Sequence, residues 1–241
     1  MVIWLNAFSR RILAESFKIS IVRVIASSFI TRLQIQAGLS SERASEITNY
    51  LWVVLAIIWL IGAITAKRTE RGQSSGSRVT HLIPEVLAFF LLFARDPERH
   101  WPHWLHRGFI PEQSAALTWT GLALTAIGIA FAIWARLWIG SNWSGRITIK
   151  QDHQLIQNGP YAIVRHPIYS GVLLGFLGTA LIHGELGGLL GLAFAIFGWS
   201  LKLHQEEAFM VQQFGSVYMD YKQRVKALVP LWSKRPRVDE C

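Results

Sequence analysis

The chain has 241 residues, of which 51% are hydrophobic and only 16% are charged, and it contains 11 tryptophans. The apolar residues come in long blocks rather than in amphipathic periods, which argues against a soluble globular domain and predicts an integral membrane protein. The net charge is +9, and the lysines and arginines that produce it mostly flank the apolar blocks. That distribution favours anionic lipid headgroups over nucleic acid as the partner. The single cysteine, Cys241, excludes an intramolecular disulfide and a cysteine metal cluster.

Residues 1–49 form a basic N-terminal region in which arginines and lysines interrupt the apolar stretches. Arg23 lies inside the apolar block 19–30, and a charged side chain facing lipid is costly. We therefore expect a basic amphipathic helix on the membrane surface. A signal peptide is disfavoured because no compact small-residue cleavage site follows an early apolar core. Residues 40–49 are interpreted as a polar connection.

The next region, residues 50–113, is predicted to be a variable transmembrane region with two apolar segments. Residues 50–66 carry no charged side chain and end just before Lys67. They are just long enough to span a bilayer, which usually needs about 20 residues. A basic loop, 67–78, follows. Residues 79–94 form a short second segment with a proline and a glutamate inside it, so we expect a kinked or partly sheltered helix.

Three histidines at three-residue spacing, His100, His103 and His106, lie in the loop 95–113. One interpretation is a metal site, since imidazole is a common ligand. No carboxylate or thiol pattern accompanies these histidines, and tryptophans lie between them. We therefore interpret the loop as an aromatic, polar segment at the membrane interface.

Residues 114–139 form the clearest span, with Arg136 in its last turns, where its long side chain can reach the headgroups or the polar groups at that end of the span. Residues 146–156 alternate between polar and apolar side chains, which predicts a short strand or an extended segment. The sequence at 158–160 then predicts a turn. Pro167 suits the first turn of the next helix.

Residues 169–201 are long enough for two spans and are interrupted at 183–185 by His-Gly-Glu. We expect a tight helical hairpin whose glycine-rich faces allow close helix packing. Residues 202–225 predict a further helix that emerges into water with one apolar side. Since the hairpin returns to the side that it entered, residues 140–168 and 202–241 are expected on one face of the membrane.

Two sequence blocks on that face contain the residues that carry chemistry. The first is Gly159-x-Tyr161 followed by Arg165-His166-Pro167-x-Tyr169-x-Gly171; the second is Glu206-Glu207 followed by Phe214-Gly215-x-x-Tyr218-x-x-Tyr221-x-x-Arg224-Val225. In this order, and separated by an apolar hairpin, the blocks resemble the isoprenylcysteine carboxyl methyltransferase family and the wider group that includes the phospholipid N-methyltransferases. The resemblance covers roughly residues 115–232, which defines a methyltransferase core at 114–232 and a basic tail at 233–241.

Other enzyme classes lack support in the sequence. There is no Gly-x-Gly-x-x-Gly after a strand, no phosphate-binding loop and no Gly-x-Ser-x-Gly nucleophile elbow. His166, Glu206 and Glu207 are the candidates for metal ligands. Neighbouring helical residues point about 100° apart, so both glutamates are not expected to bind one ion, and no metal site is predicted.

The expected fold is therefore an all-α polytopic membrane protein with about five transmembrane helices, a C-terminal helical hairpin and a cytoplasmic cofactor site. Lysines and arginines are frequent at 140–168 and 202–241, and positive loops stay in the cytoplasm. The C-terminus and the active site are accordingly expected on the cytoplasmic side of an inner or endoplasmic-reticulum-type membrane.

The resemblance implies that S-adenosylmethionine is the cofactor, and its ribose diol, ammonium and sulfonium suit a carboxylate and aromatic rings. The cofactor-binding residues that it implies are His153, Gln154, Leu155, Ile156, Tyr161, His166, Pro167, Ile168, Tyr169 and Glu206. Lys202 falls where the eukaryotic enzymes have a substrate-binding arginine. A lysine keeps the positive charge but not the bidentate fork, which leaves the acceptor open.

The predicted activity is methyl transfer to a lipidic or prenylated small-molecule acceptor, first of all O-methylation of an isoprenylcysteine-type carboxylate. The alternatives are N-methylation of a phospholipid or other amine, which needs a base, and a non-enzymatic membrane protein or small transporter. The polar residues cluster at one membrane face rather than at midplane, which argues against transport. Lys202 and Glu206 are also compatible with a surface pair, and Tyr218 and Tyr221 with packing.

Overall fold

The computed structural model describes residues 41–62, 69–72, 75–93, 102–109, 114–140, 148–150 and 155–230. Within these ranges the chain forms six helices and one small antiparallel sheet. The elements are α1 (Ser41–Gly62), β1 (Thr69–Gly72), α2 (Ser75–Phe93), α3 (Ala115–Ile139), β2 (Thr148–Lys150), α4 (Pro167–His183), α5 (Leu186–Phe214) and α6 (Ser216–Arg224), with single 3-10 turns at His103–His106 and Gly159–Ala162. The N-terminal region 1–40 and the tail from 231 lie outside the described residues.

Three of the described helices, α1, α3 and α5, are long and apolar enough to cross a membrane. α4 and the part of α2 from Thr80 to Phe93 are apolar but shorter. Large apolar side chains such as Leu60 and Leu137 are 69% and 66% exposed, which suits contact with lipid rather than with water. The chain is an integral membrane protein, and about five spans stays a prediction.

Glycines bring the helices into backbone contact in two antiparallel pairs. On α3 and α4, Gly121 lies against Gly178 and Gly128 lies against Gly171. Small residues at these positions allow two helix backbones to approach closely. The predicted hairpin of α4 and α5 is present, but only Gly188 packs across it, on Ala180. The other glycines of each arm face a helix outside the hairpin.

α5 packs its glycines on α2. Gly198 contacts Glu85, Gly191 contacts Ala88, and Gly187 contacts the carbonyl of Leu91. The residue numbers rise on one helix as they fall on the other, so α2 and α5 are antiparallel. Phe176 of α4 and Trp199 of α5 fill the space between the two helix pairs as part of the buried core.

Two predicted boundaries are wrong for identifiable reasons. The helix α1 begins at Ser41 rather than after a polar connection 40–49, because Ala44 and Thr48 form a buried face while Glu42 and Glu46 stay exposed. Helix α5 does not stop near residue 201 but continues to Phe214. The helix contains no glycine or proline between residue 201 and Gly215, whose φ of 55° ends it.

The small sheet joins the two loops that precede α2 and the candidate site. β2 confirms the strand expected within 146–156, and β1 falls in a segment predicted to be a loop, where it pairs with β2. The structure therefore contains a two-stranded sheet in addition to the helices that the all-α prediction expected. A strand partner far away in sequence cannot be inferred from local pattern alone, which explains why β1 was not predicted.

The far end of the helix bundle is closed by the histidine-containing segment. The amide of Phe109 donates to Gly184 O and the amide of Leu186 donates to Arg107 O, both at 3.0 Å. His106 Nδ1 lies 3.4 Å from Glu185 Oε2, so a carboxylate does accompany this histidine, contrary to the prediction. No group that would hold a metal ion occurs among the described residues, and His100 lies outside them.

The α3–α4 contact predicts a steep cost for one added methyl group. A Cβ at Gly121 would lie 2.7 Å from Gly178 O and 2.8 Å from Ile182 Cγ1, whereas at Gly187 the nearest atom is 3.4 Å away. We expect Gly121→Ala to destabilise the protein by roughly 1–3 kcal/mol through overpacking. Gly187→Ala is the matched control and should be neutral or stabilising, since alanine favours helix. Thermal unfolding in detergent measures both, and equal melting temperatures would contradict the close contact.

Candidate functional site

The turn before α4 positions the first block of predicted site residues. Gly159 adopts a φ of 59° against the ring of Trp138, where a side chain would collide. Trp138 Nε1 donates to Asn158 Oδ1 at 2.9 Å, which fixes the turn to the end of α3. Pro167 then starts α4, with His166 at its N-cap position.

The chain after α6 holds this turn in place through its backbone. The amide of Arg165 donates to Lys226 O at 2.8 Å, and the amide of His166 donates to Ala227 O at 3.0 Å. Ser170 Oγ donates to Leu228 O at 2.6 Å. These contacts make the C-terminal segment a wall of the site, as expected for a hairpin that brings the two sequence blocks to one end of the bundle.

Two tyrosines interpreted as packing residues are buried, and one also makes a polar contact. Tyr218 and Tyr221 are each 2% exposed. Tyr221 Oη donates to Tyr161 O at 2.5 Å, which ties α6 to the turn. Burial raises the pKa of Tyr221 to about 12, so the hydroxyl stays protonated and remains a donor.

A buried cluster of charges centres on Glu207. Arg165 donates to Glu207 Oε1 from Nε at 2.8 Å and from Nη2 at 2.5 Å. Lys222 Nζ lies 2.7 Å from Glu207 Oε2. Arg165 Nη1 also donates to the carbonyls of Lys222 and Val225. The side chains of Arg165 and Glu207 are only 9% and 10% exposed. This ion cluster therefore joins α5, α6 and the turn before α4.

Glu206 has a different environment from its neighbour. Tyr169 Oη donates to Glu206 Oε1 at 2.5 Å, and His166 Nδ1 lies 3.6 Å from Glu206 Oε2. Neither lysine nor arginine forms an ion pair with Glu206 within the described residues. Its negative charge is accordingly the less compensated of the two, and the surface pair of Lys202 with Glu206, the alternative that the sequence allowed, is not formed among the described residues.

His166 bridges the two glutamates. Its Nε2 lies 3.3 Å from Glu207 Oε1, while Nδ1 faces Glu206. Burial disfavours the charged imidazolium, but the hydrogen bonds to Glu206 and Glu207 outweigh burial and raise the pKa of His166. Nε2 is within hydrogen-bond distance of Glu207, and Nδ1 faces Glu206 at 3.6 Å, so each ring nitrogen has a carboxylate beside it that favours a proton there.

An aromatic stack runs from this histidine into the helix bundle. The rings of His166 and Tyr169 are 5.6 Å apart and nearly parallel, and those of Tyr169 and Trp199 are 6.2 Å apart. Lys202 Nζ lies 5.5 Å from the centre of the Tyr169 ring, a cation–π contact. The stack, defined as His166, Tyr169 and Trp199, connects the polar face with the apolar interior.

The predicted site residues are brought together to different degrees. Tyr161, His166, Tyr169, Glu206 and Lys202 surround one region, and the charge of Glu206 adds to burial in raising the pKa of Tyr161. Pro167 and Ile168 form the first turn of α4 beside it. Leu155 and Ile156 are half-buried in the extended chain before the turn, while His153 and Gln154 lie outside the described residues.

Four residues at the site were not assigned from the sequence. Arg165 and Glu207 are part of the two motif blocks, but their roles were left open. Lys222 and Trp199 join the site through folding alone, by the ion pair to Glu207 and by stacking on Tyr169. Lys222 lies one helical turn after the apolar residue Tyr218, on the same side of α6. This spacing is the feature of the sequence that indicates that Lys222 faces the site.

Comparison with known proteins places the similarity on this half of the chain. Residues 116–217 match the sequence model described as phospholipid methyltransferase. Protein-S-isoprenylcysteine O-methyltransferase B of Arabidopsis thaliana is 32% identical over 115 residues, which cover 46% of this chain and 57% of that protein. The cobalt-zinc-cadmium resistance protein CzcN of Cupriavidus metallidurans is 32% identical over 118 residues, which cover 47% of this chain and 52% of that protein.

One solved structure gives a weaker likeness. The structure of the eukaryotic intramembrane Ras methyltransferase ICMT (isoprenylcysteine carboxyl methyltransferase) aligns with a TM-score of 0.41 and 26% sequence identity, over 66% of this chain and 54% of that chain. The chain spans about half the length of the curated relatives that it matches. The resemblance predicted from the two motif blocks is confirmed for residues 116–217, which contain the first block and the second block as far as Val217.

The ion cluster predicts that Glu207 stabilises the fold rather than only the site. Glu207→Gln removes the charge that compensates Arg165 and Lys222, and breaking a buried pair costs about 3–5 kcal/mol. Unfolding of the purified variant, without added ligand, should show this loss. Asp220→Asn is the control, since Asp220 is an exposed acid on α6. A Glu207→Gln protein as stable as the control would refute the structural role.

Proposed function

We infer, from the match of residues 116–217 to the phospholipid methyltransferase family, that this chain is a membrane methyltransferase. We further propose that it uses S-adenosylmethionine and that its acceptor is a lipidic carboxylate of the isoprenylcysteine type. The observation that carries the proposal is the position of Glu206. It lies between Tyr169 and His166, beside a lysine, where apolar helices meet the polar face.

The side chains at this point fit the proposed cofactor. S-adenosylmethionine carries an ammonium, a sulfonium and a ribose diol, all of which a carboxylate or an aromatic face can bind. Glu206 is an anion whose nearest partners are a hydroxyl and an imidazole rather than a lysine or arginine. The Tyr161 and Tyr169 rings supply apolar faces beside it. The family resemblance assigns Leu155 and Ile156 of the preceding extended segment, and Pro167 and Ile168 at the start of α4, to the same cofactor.

The chemistry proposed for the site needs alignment more than an activated protein group. When bound, the cofactor supplies a methyl group on a sulfonium, which a carboxylate oxygen displaces with its own lone pair to give a methyl ester and a neutral thioether. The acceptor carboxylate loses its charge, and no proton has to be removed. The tasks left to the protein are to hold both partners in line and to exclude water.

Lys202 is assigned to the acceptor. Its ammonium lies over the Tyr169 ring, and its stem follows α5 towards the apolar interior. A positive charge at this depth attracts the head of a lipidic carboxylate, whereas it repels an ammonium acceptor. N-methylation of a phospholipid amine, the second candidate, would also need a base to take up a proton.

The cellular setting follows from the same arrangement. The helices make the chain an integral membrane protein, and we propose that its site and C-terminus face the cytoplasm because lysines and arginines are concentrated on that end. The proposed partners are membrane lipids and a prenylated or otherwise lipidic acceptor. Clustering of the polar groups at one end of the bundle disfavours a transporter, which would place them near midplane.

Glu206→Gln tests the enzyme assignment. Loss of one charge-assisted hydrogen bond costs about 1.5–3 kcal/mol, so the affinity for S-adenosylmethionine should fall roughly tenfold or more. Calorimetry measures the affinity, and transfer of labelled methyl groups to a prenyl-thiol carboxylate measures the activity. Glu42→Gln, an exposed change on α1, is the control. Undiminished cofactor affinity in folded Glu206→Gln would remove Glu206 from the cofactor site. Absence of both binding and transfer in the wild-type protein would overturn the proposed function.

Lys202→Met tests the acceptor class. Methionine keeps most of the apolar stem but removes the charge. For a carboxylate acceptor we expect a loss of roughly tenfold or more in initial rate at saturating cofactor, with little change in cofactor affinity. For an amine acceptor the rate should be unchanged or higher. Arg43→Met, on the exposed side of α1, controls for the loss of a positive charge. An undiminished rate of carboxyl methylation by Lys202→Met would show that Lys202 does not bind the acceptor carboxylate.

A further inference from the structure

Glu85 of α2 is an acidic residue inside an apolar helix and outside the two motif blocks. Its Cγ would lie 3.2 Å from a Cβ built on Gly198 of α5, so the absence of a side chain at Gly198 makes room for it. Charged residues at such depth are costly and are retained where they have a function. The apolar helical segment Thr80–Phe93 that carries Glu85 contains one other buried polar side chain of this kind, His81, one helical turn away.

The geometry of the two helices aims Glu85 at the acceptor residue. α2 and α5 are antiparallel, with Glu85 level with Gly198, and Gln205 Nε2 lies 3.5 Å from Thr80 Oγ1 nearer the polar end. Side chains on a helix lean towards its N-terminus. Glu85 therefore leans towards the polar end and Lys202 leans back towards Gly198, so the two side chains converge.

The two charges influence each other without pairing. Burial opposes ionisation of the Glu85 carboxyl group, whereas the nearby Lys202 favours it and Glu206 disfavours it. Glu85 and Lys202 are not within ion-pair distance. Glu85 Oε1 is buried and has no hydrogen-bond partner among the described residues. A buried acceptor atom without a donor costs free energy, so a donor from a ligand would be favoured there.

We propose that Glu85 and Lys202 together bind an acceptor head that carries an N–H donor beside its carboxylate, as an S-prenylated cysteine does. Lys202 attracts the carboxylate that is methylated. Glu85 accepts a hydrogen bond from the α-ammonium, or from an amide N–H at the same atom. This inference rests on the proposed function, and it adds a specificity residue from the N-terminal half of the chain.

The chemistry of the head group makes the arrangement selective. A simple fatty acid or prenyl acid satisfies Lys202 but leaves Glu85 Oε1 without a donor, whereas an amino-acid head satisfies both residues. An amine lipid that lacks a carboxylate satisfies Glu85 and faces repulsion from Lys202. Sites that hydrogen-bond a substrate group discriminate against analogues that lack that group, because their own polar atoms are then left unpaired.

Three acceptors that differ only at the nitrogen test the proposal: S-farnesylcysteine, N-acetyl-S-farnesylcysteine and S-farnesyl-3-thiopropionate. All carry the same chain and carboxylate. For the wild-type protein we expect kcat/KM to be roughly tenfold or more higher for S-farnesylcysteine than for the thiopropionate, which has no nitrogen, with the acetylated compound between them. In Glu85→Gln the preference should shrink to about threefold or less, through loss on S-farnesylcysteine while the thiopropionate rate is kept. Glu46→Gln, an exposed change on α1, should keep the full preference.

The outcomes separate this inference from the function on which it rests. Equal rates for the three acceptors in the wild-type protein, or an equal loss on all three in Glu85→Gln, would overturn the role of Glu85 while methyl transfer itself stands. If the wild-type protein transfers no methyl group, the proposed function fails. Calorimetry with the same three compounds and no cofactor then tests the role of Glu85 in binding. Affinities in the same order as the expected rates support that role, and equal affinities or no binding refute it.

Discussion

The buried ion pair between Arg165 and Glu207 is the interaction on which the rest of the site depends. Each partner is about nine-tenths buried, and their elements are separated in sequence by a whole helical hairpin. Removing either charge would leave the other unpaired in a poorly solvated place, so the two elements are held together or not at all. Lys222 adds α6 to the same carboxylate. Because Glu207 forms the ion pairs that hold these elements together, the neighbouring Glu206 can keep a less compensated charge.

The sequence predicted those parts of the structure that local pattern determines. The long apolar blocks gave α3 and the hairpin, and Pro167 correctly marked the start of α4. The extension of α5 to Phe214 was not predicted, since the change from apolar to charged residues was interpreted as the end of a helix. A helix continues through a change in solvent as long as its backbone is unbroken, and here Gly215 ends it. Composition indicates where a membrane ends and not where a helix ends.

The features of the site that could not be predicted from the sequence are contacts between residues that lie far apart in the chain. The motif blocks placed Tyr161, His166, Tyr169 and Glu206 together, and the structure agrees with that placement. They did not reveal that His166 contacts both glutamates from opposite ring nitrogens. The 100° between successive helical side chains argues against one shared ion, but it suits a flat ring that lies between them. Partners such as Trp199 and Glu85 follow from helix packing, which depends on glycines on two different helices and has no signature in a single stretch.

Close backbone packing also explains how a charged site is built at the end of an apolar bundle. Where two helices meet through glycines, as at Gly198 of α5, a side chain of the facing helix gains space that a larger residue would fill. In α3 and α4 that space is used by the backbones themselves, which makes a rigid pair. In α2 and α5 it is used by Glu85, so the second pair contains a polar group at the depth where an amphiphile would place its head. Tyr169 of α4 in the first pair stacks on Trp199 of α5 in the second pair, and α5 also carries Lys202 and Glu206.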